Sequence, residues 1–546
     1  MFGPFTGSQA VEQMALRQQR VRVARVGIFA ACVLGLAVSA FAQAGAPAPQ
    51  VPAGPVQRLS IEEAIKLALE NNLSLRVERM YPELSDLAIE QAKTVWTPNL
   101  TAAMNNTSRT SPISGFFSGA TDKLTNEGFS ANMGANQLLP WGANYNVTWD
   151  TSRTASNSIY ASPNPAKAAN LSFNFTQPLL RNMKVDGARQ QLIVSRMNRD
   201  LSDIQLRQSV LLTVRSVKYA YWNLKAAVAF VQVARQSLDL AKESLRNNRS
   251  KVEIGTMAPI DVVEAEAEVA RRSEAVITAE ASVKRSEDAL RALILNPKSA
   301  EDWATRFDLT EQPTFEAIAV DVEGVVKTAL EKRTDLQQAR KNLAISATTI
   351  TYQRNQILPD LNAQVGYGLS GQGGRKLNQV GFPPVTVGEI NEGFGTMMNR
   401  LLSNEFHNWS FAVQFSYPIG NGAAEANLAR TKVQVAQSEV QLQNAELQVT
   451  TQVRDVARNV QTNQLRLAST QATRTLMQRK LEAEQKKFAA GLSTNFLVFQ
   501  AQRDLADAQY SELVALLDYN KSLVDLETVQ EAPTAGTGVM VTAVTR

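Results

Sequence analysis

The side chains that most often carry catalysis or hold metals are nearly missing from this chain. Of its 546 residues one is histidine, His407, and one is cysteine, Cys32. A histidine-dependent triad has almost nothing to use, and a nitrogen or sulfur metal site lacks a second donor of either kind. His407 is therefore expected beside a strand at the surface or barrel rim. No glycine-rich phosphate loop of the Walker type occurs, so any driving energy must come from a partner. Carboxylate pairs do occur. Glu62 and Glu63 are adjacent on a predicted helix, as solvated helix faces commonly are. Asp261 and Glu264 open another helix, where its dipole favours acids. This set predicts neither an enzyme nor a bound cofactor.

The elements that carry these residues begin after an export signal. Arg17, Arg20, Arg22 and Arg25 precede the apolar run Val26 to Phe41, which ends in the small-residue pattern Ala40-Phe41-Ala42. Cleavage is expected after Ala42, since the run is shorter than the roughly 20 residues of a spanning helix. Phe29-Ala30-Ala31-Cys32 loosely resembles a lipidation box, which leaves lipidation at Cys32 open. The removed segment also holds Glu12 and carries a net +3, so the chain falls from +5 to +2. The basic balance thus belongs mostly to the signal, and nucleic-acid binding is not expected.

Beyond it the sequence repeats itself. Ile61-Glu-Glu-Ala-Ile-Lys-Leu-Ala-Leu-Glu70 lies over Val322-Glu-Gly-Val-Val-Lys-Thr-Ala-Leu-Glu331, and the same register brings Leu75 to Leu336, Ile89 to Ile350 and Pro98 to Pro359. Each copy opens with a helix stopped by that proline. Alternating segments follow: 100–108, 129–137, 145–149 and 171–175 in the first copy, 361–367 and 409–417 in the second. Stretches rich in Gly, Ser, Asn and Pro at 109–127, 154–169 and 370–406 read as loops.

Each copy then enters a helix, 188–253 or 423–489, of about 66 residues and roughly 100 Å. Val210, Val214, Val217, Tyr221, Leu224, Val228, Val231, Leu238, Ala241 and Leu245 form a coiled-coil seam in the first. Val449, Val453, Val456, Val460, Leu467, Leu481 and Phe488 form the second. Arg235 and Arg474 interrupt the seams. Gly255 and Gly491 end the long helices, and return helices run 259–295 and 495–529. The resulting plan is a signal 1–42, a linker 43–58, a first repeat 59–295, a connector 296–320, a second repeat 321–529 and a tail 530–546.

No segment after the signal offers about 18 consecutive apolar residues, so a membrane can be crossed only by strands, which must close into a barrel. One chain has too few strands to close a pore, whereas several copies pooling four to six each would do so. The fold class is mainly α with a membrane β-barrel portion, built from two tandem helix-strand-strand-helix repeats whose coiled-coil helices form a tunnel. An exported coiled-coil structural or adhesion protein is the alternative.

The segments Leu171-Ser-Phe-Asn-Phe-Thr-Gln-Pro178 and Phe411-Ala-Val-Gln-Phe-Ser-Tyr-Pro418, the tips Ile254-Gly-Thr-Met257 and Ala490-Gly-Leu-Ser493, and the ending Tyr519-Asn-Lys-Ser-Leu-Val-Asp-Leu-Glu527 together resemble the TolC-type outer-membrane efflux protein family. The resemblance implies a homotrimer with a shared 12-strand barrel among outer-membrane lipids and a periplasmic helical tunnel. It implies a periplasmic adaptor and an inner-membrane pump as partners, in efflux or type I secretion. Docking would fall on Gly255, Thr256, Met257, Gly491, Leu492 and Ser493. The candidate aperture is Asp261, Glu264, Leu497 and Gln500. In the family's best-known form the second-copy positions of that aperture are carboxylates; here they are Leu497 and Gln500, and the acids Asp261 and Glu264 stand in the first copy. A second departure is the hairpin-like stretch 129–149, which is expected to stay outside the barrel as a surface feature.

Overall fold

A computed structural model of the chain describes residues 56–113, 122–295, 303–312, 315, 317–382, 384–420 and 422–531. The signal with Cys32, most of the linker 43–58 and all of the tail but 530 and 531 lie outside them.

Two short helices open each repeat: α1 (Ile61–Asn71) and α2 (Leu73–Lys93) in the first. Ser60 caps α1 through a capping box with Glu63, satisfying two otherwise orphaned donors. The single opening helix expected here is broken at Asn72. Its extended backbone ends α1, its side-chain oxygen accepts from Leu75 N at 3.1 Å, and its amide nitrogen donates to Leu293 O at 3.2 Å.

Four strands follow, β2 (Asn99–Pro112), β3 (Lys123–Leu138), β4 (Asn144–Ser156) and β5 (Ala166–Pro178), after the short β1 (Val56–Leu59). The long helix α3 (Gly187–Glu253) and its return helix α4 (Pro259–Ile294) complete the repeat. The connector contributes β6 (Arg306–Leu309), which pairs in parallel with β1. Part of the predicted linker is therefore a strand. The second repeat holds α5 (Val322–Lys332), α6 (Thr334–Gln356), β7 (Asp360–Val380), β8 (Val385–Glu392), α7 (Phe394–Leu402), β9 (Phe406–Ser416), α8 (Gly422–Ala489) and α9 (Asn495–Gln530).

The segment 370–406 is not a loop. β7 runs on to Val380, β8 pairs back onto it, and α7 lies against the sheet with Met397 and Leu401 buried on Ala169. The glycines that looked like loop composition serve this close approach: a Cβ on Gly371 would meet Met397 O at 2.3 Å and Leu401 N at 3.0 Å. Both are backbone atoms, so no rotamer change relieves the clash. Gly371→Leu is expected to lift α7 from the sheet, and limited proteolysis should then cut within 394–405 where the parent protein resists. Equal resistance would contradict this packing.

The sheet order is β2-β3-β4-β5-β7, with β9 on the lower part of β7 and β8 on its upper part. The stretch 129–149 is thus inside the sheet, not outside it. An alternating hairpin has the same local pattern in either place, and what fixes it here is pairing on both sides, β3 to β2 and β4 to β5. Its turn is also anchored. Gly142, at φ +94°, sits so close to the start of α3 that a Cβ would fall 2.8 Å from Arg189 Nη2.

The helices pack side by side. Nearer the strands the contact order is α2, α3, α6, α8; farther from them it is α4, α3, α9, α8. Seam residues Val214, Val217, Tyr221, Leu224, Val231 and Ala241 are buried on α3, as are Val449, Val453, Val460, Leu467 and Leu481 on α8. Val228 is the exception and faces out, while Ala226 and Ala227 are buried in its place. The interrupting arginines meet the return helices: Arg235 pairs with Glu280 at 2.7 Å and Arg474 with Glu512 at 2.9 Å.

Candidate functional site

The strand register sorts every side chain onto one of two faces. Tyr145 stands opposite Phe175, Val147 opposite Phe173 and Trp149 opposite Leu171. Phe175 continues to Val365 and then Phe411, and Phe173 to Tyr367 and then Trp409. On β2 and β3 the same face carries Leu100, Met104, Met133 and Phe129. The opposite face holds Asn146, Asn174 and Thr148, then Gln364, Gln414 and Ser410. One face is thus apolar and aromatic and the other amide- and hydroxyl-rich, the dyad expected of a sheet with lipid on one side and water on the other. Among the described residues no helix is long and apolar enough to cross a membrane.

At the far end of the long helices the two tips lie side by side, with Lys251 Nζ 4.0 Å from the Phe488 ring centre. Gly255 and Gly491 take φ +77° and +76°, and an added Cβ would meet nothing within 4 Å at either. Their left-handed backbone alone accounts for glycine. It lets Gly255 N reach Val252 O and Thr256 N reach Lys251 O, while Gly491 N and Leu492 N reach Phe488 O and Lys487 O. Thr256 and Leu492 are exposed, Leu492 by 80%, and Met257 and Ser493 are half-buried. Ser493 Oγ donates to Glu484 Oε2 at 2.8 Å, which closes the second tip.

Asp261 is half-buried and Glu264 exposed on α4; Leu497 and Gln500 are exposed on α9. Because α4 and α9 pack on different sides of α3, the chain does not bring the two pairs together. Among the described residues no ion pair joins Asp261 or Glu264 to a cation, although Glu266 and Glu268 nearby are paired with Arg249 and Arg272. No group of three or more potential metal ligands occurs among the described residues. His407 Nδ1 lies 3.1 Å from Asn404 O at the exposed start of β9.

A polar cluster, buried at Lys218 and Glu527 and partly exposed at Arg215 and Asp525, joins the two repeats where α3 crosses α9. Lys218 Nζ donates to Glu527 Oε2 at 2.5 Å, with side chains only 8% and 11% exposed. One turn away Arg215 Nε and the Tyr219 hydroxyl donate to the two oxygens of Asp525, at 2.8 and 2.6 Å. Burial, and then the bond to Asp525, push the Tyr219 hydroxyl up to about 12. Sequence reading missed this cluster. The available signal was Lys218 itself, four residues after Val214 and three before Tyr221, a cation set on an otherwise apolar seam.

The model of the family described as outer membrane efflux protein matches residues 64–294 and 325–529. No curated protein matches the chain. Among solved structures, the MtrE outer membrane channel of Neisseria gonorrhoeae is similar at 17% identity, covering 86% of this chain and 89% of that one with a TM-score of 0.58. The CmeC outer membrane channel of Campylobacter jejuni is similar at 15% identity, covering 86% and 85% with a TM-score of 0.60. The outer membrane protein VceC of Vibrio cholerae is similar at 15% identity, covering 87% and 96% with a TM-score of 0.58. With the doubled repeat, the two-faced sheet and the family match over both repeats, the chain belongs to the outer membrane efflux protein family, its long helices standing on the periplasmic side of the outer membrane.

Proposed function

We propose that three copies of this chain close into one passive conduit from periplasm to exterior, serving a tripartite efflux or type I secretion system. The carrying observation is that, among the described residues, both lateral edges of the helical layer expose apolar seams without a partner. On α2 these are Leu73, Val77, Met80, Leu84 and Leu87; on α8 they are Val433, Val440 and Leu447 at heptad spacing. The internal repeat supplies the pairing rule. α6 packs between α3 and α8, so α2, its equivalent, would sit between α3 and the α8 of a neighbouring copy.

The driving energy comes from an inner-membrane pump, linked by a periplasmic adaptor that grips the tips at Gly255–Met257 and Gly491–Ser493. Threefold closure gathers Asp261 and Glu264 into acidic rings near the tip, where unpaired like charges concentrate cations. Leu497 and Gln500 add no charge to that aperture. The test is the oligomeric mass in detergent together with single-channel conductance in planar bilayers. Trimers with discrete conductance steps are expected. Added divalent cations should block the current, and Asp261→Asn with Glu264→Gln should relieve the block while leaving trimers intact. A soluble monomer that never inserts would sink the conduit and favour an exported coiled-coil protein.

A further inference from the structure

We propose that all six membrane strands of each protomer enter the barrel wall, so that three copies close an 18-strand barrel through antiparallel pairing of β9 with β2 of the next copy. The strand count deepens the trimeric conduit reading and rests on it. Among the described residues, β3, β4, β5 and β7 are each paired on both sides, whereas β2 and β9 are paired on one side only and are exposed along nearly their whole length. In hydrocarbon an unpaired row of backbone groups is not tolerated, so both edges need a partner. They suit each other. β2 runs outward from α2 and β9 runs back toward α8, so neighbouring copies present them antiparallel.

Closure also satisfies barrel geometry. Crossing the sheet at right angles to the strands leads from Asn99 through Asn136, Asn146, Asn174 and Gly366 to Ser410, six residues short of the end of β9 at Ser416. If Ser416 meets Asn99 of the next copy, each protomer contributes that six-residue stagger. With about 3.4 Å rise per residue and about 4.8 Å between strands, the tilt is then about 35°. A slip of two residues raises it to about 43°, and both values fall within the roughly 35–45° of outer-membrane barrels. A slip of one residue is excluded because it would turn the apolar face of one copy toward the water of the next. The flush register sets Leu100 beside Phe415 on the lipid face and Ala103 beside Ala412 on the water face.

The extra hairpin cannot leave this wall without breaking the ladders β2–β3 and β4–β5 and lifting Gly142 from the start of α3. At the smaller tilt the ring is about 34 Å across between backbones, half as wide again as 12 strands at that tilt. The mouth is therefore wide, and selection of cargo size falls to the helical end.

Disulfide trapping tests the seam in the full-length trimer with Cys32→Ala. Ala103→Cys is combined in turn with Ala412→Cys, Gln414→Cys and Ser416→Cys, which sample successive two-residue slips. One pairing is expected to give covalent trimers on a denaturing gel, with none from single-cysteine variants. Wall placement of the hairpin is read separately, by labelling with a membrane-impermeant maleimide in liposomes. Asn132→Cys, on the water face, should label, and Met133→Cys, on the lipid face, should stay protected. Covalent trimers in which both positions label would put the hairpin outside and overturn the 18-strand count while sparing the conduit. Channel-forming trimers that cross-link in no register would overturn the seam. Failure to form trimers or insert at all would instead overturn the conduit reading beneath it.

Discussion

Val365→Arg is expected to abolish assembly in the outer membrane, while Gln364→Arg, one residue away, assembles normally. Val365 stands between Phe175 and Phe411 on the apolar face of the central strand β7, and Gln364 stands between Thr176 and Gln414 on the polar face. An arginine facing lipid at the bilayer midplane costs roughly 2–4 kcal/mol. Three copies multiply that cost to roughly 6–12 kcal/mol per trimer, comparable to the whole stability of a typical domain. On the water face the same side chain stays hydrated, and three added cations should shift ion selectivity toward anions. The measurements are the yield of trimer in outer-membrane fractions and the reversal potential in a salt gradient. Normal trimer yield from Val365→Arg would mean that the apolar face does not meet lipid, and the assignment of inside and outside would fall.

The second large effect is expected at the crossing of the repeats. Glu527→Ala leaves Lys218 charged and buried without its partner, a change that typically costs about 3–5 kcal/mol. Glu527 comes from the last turns of α9 and Lys218 from the middle of α3, so the loss loosens one repeat from the other. The double variant Lys218→Met with Glu527→Leu removes both charges and keeps much of the volume, and it should restore most of the stability. Thermal denaturation of the detergent-solubilised protein, followed by loss of helical signal, would report both. If Glu527→Ala melted with the parent protein, or if the double variant were no better than the single one, the pair would not hold the crossing together. Glu527→Ala also removes an oxygen, Oε1, that has no hydrogen-bond partner among the described residues, so the effect belongs to the lysine left behind and not to a lost network on the carboxylate.

What could be read in the sequence alone was whatever depends on local periodicity. The seams repeat every three and four residues from Val210 to Leu245 on α3 and from Val449 to Phe488 on α8, longer than chance sustains. Glycine at 255 and 491 marked the tips because only a left-handed residue lets the chain turn back there. Strand alternation fixed which residues share a face, since the side-chain period of two holds wherever the strand is placed.

Tertiary structure decided everything that depends on a partner distant in sequence. Whether 129–149 lies in the sheet or beside it rests on ladders to β2 and β5, and its own alternation is identical in both cases. Gly371 and Gly373 fit a loop composition as well as they fit a strand approached closely by a helix, and only the position of α7 separates the two. The parallel pair β1 and β6 joins residues 250 positions apart, and Lys218 meets Glu527 across 309. Such contacts leave no periodic trace in a single chain, because the free energy that selects them comes from burial and pairing between elements and not from the preferences of either element by itself.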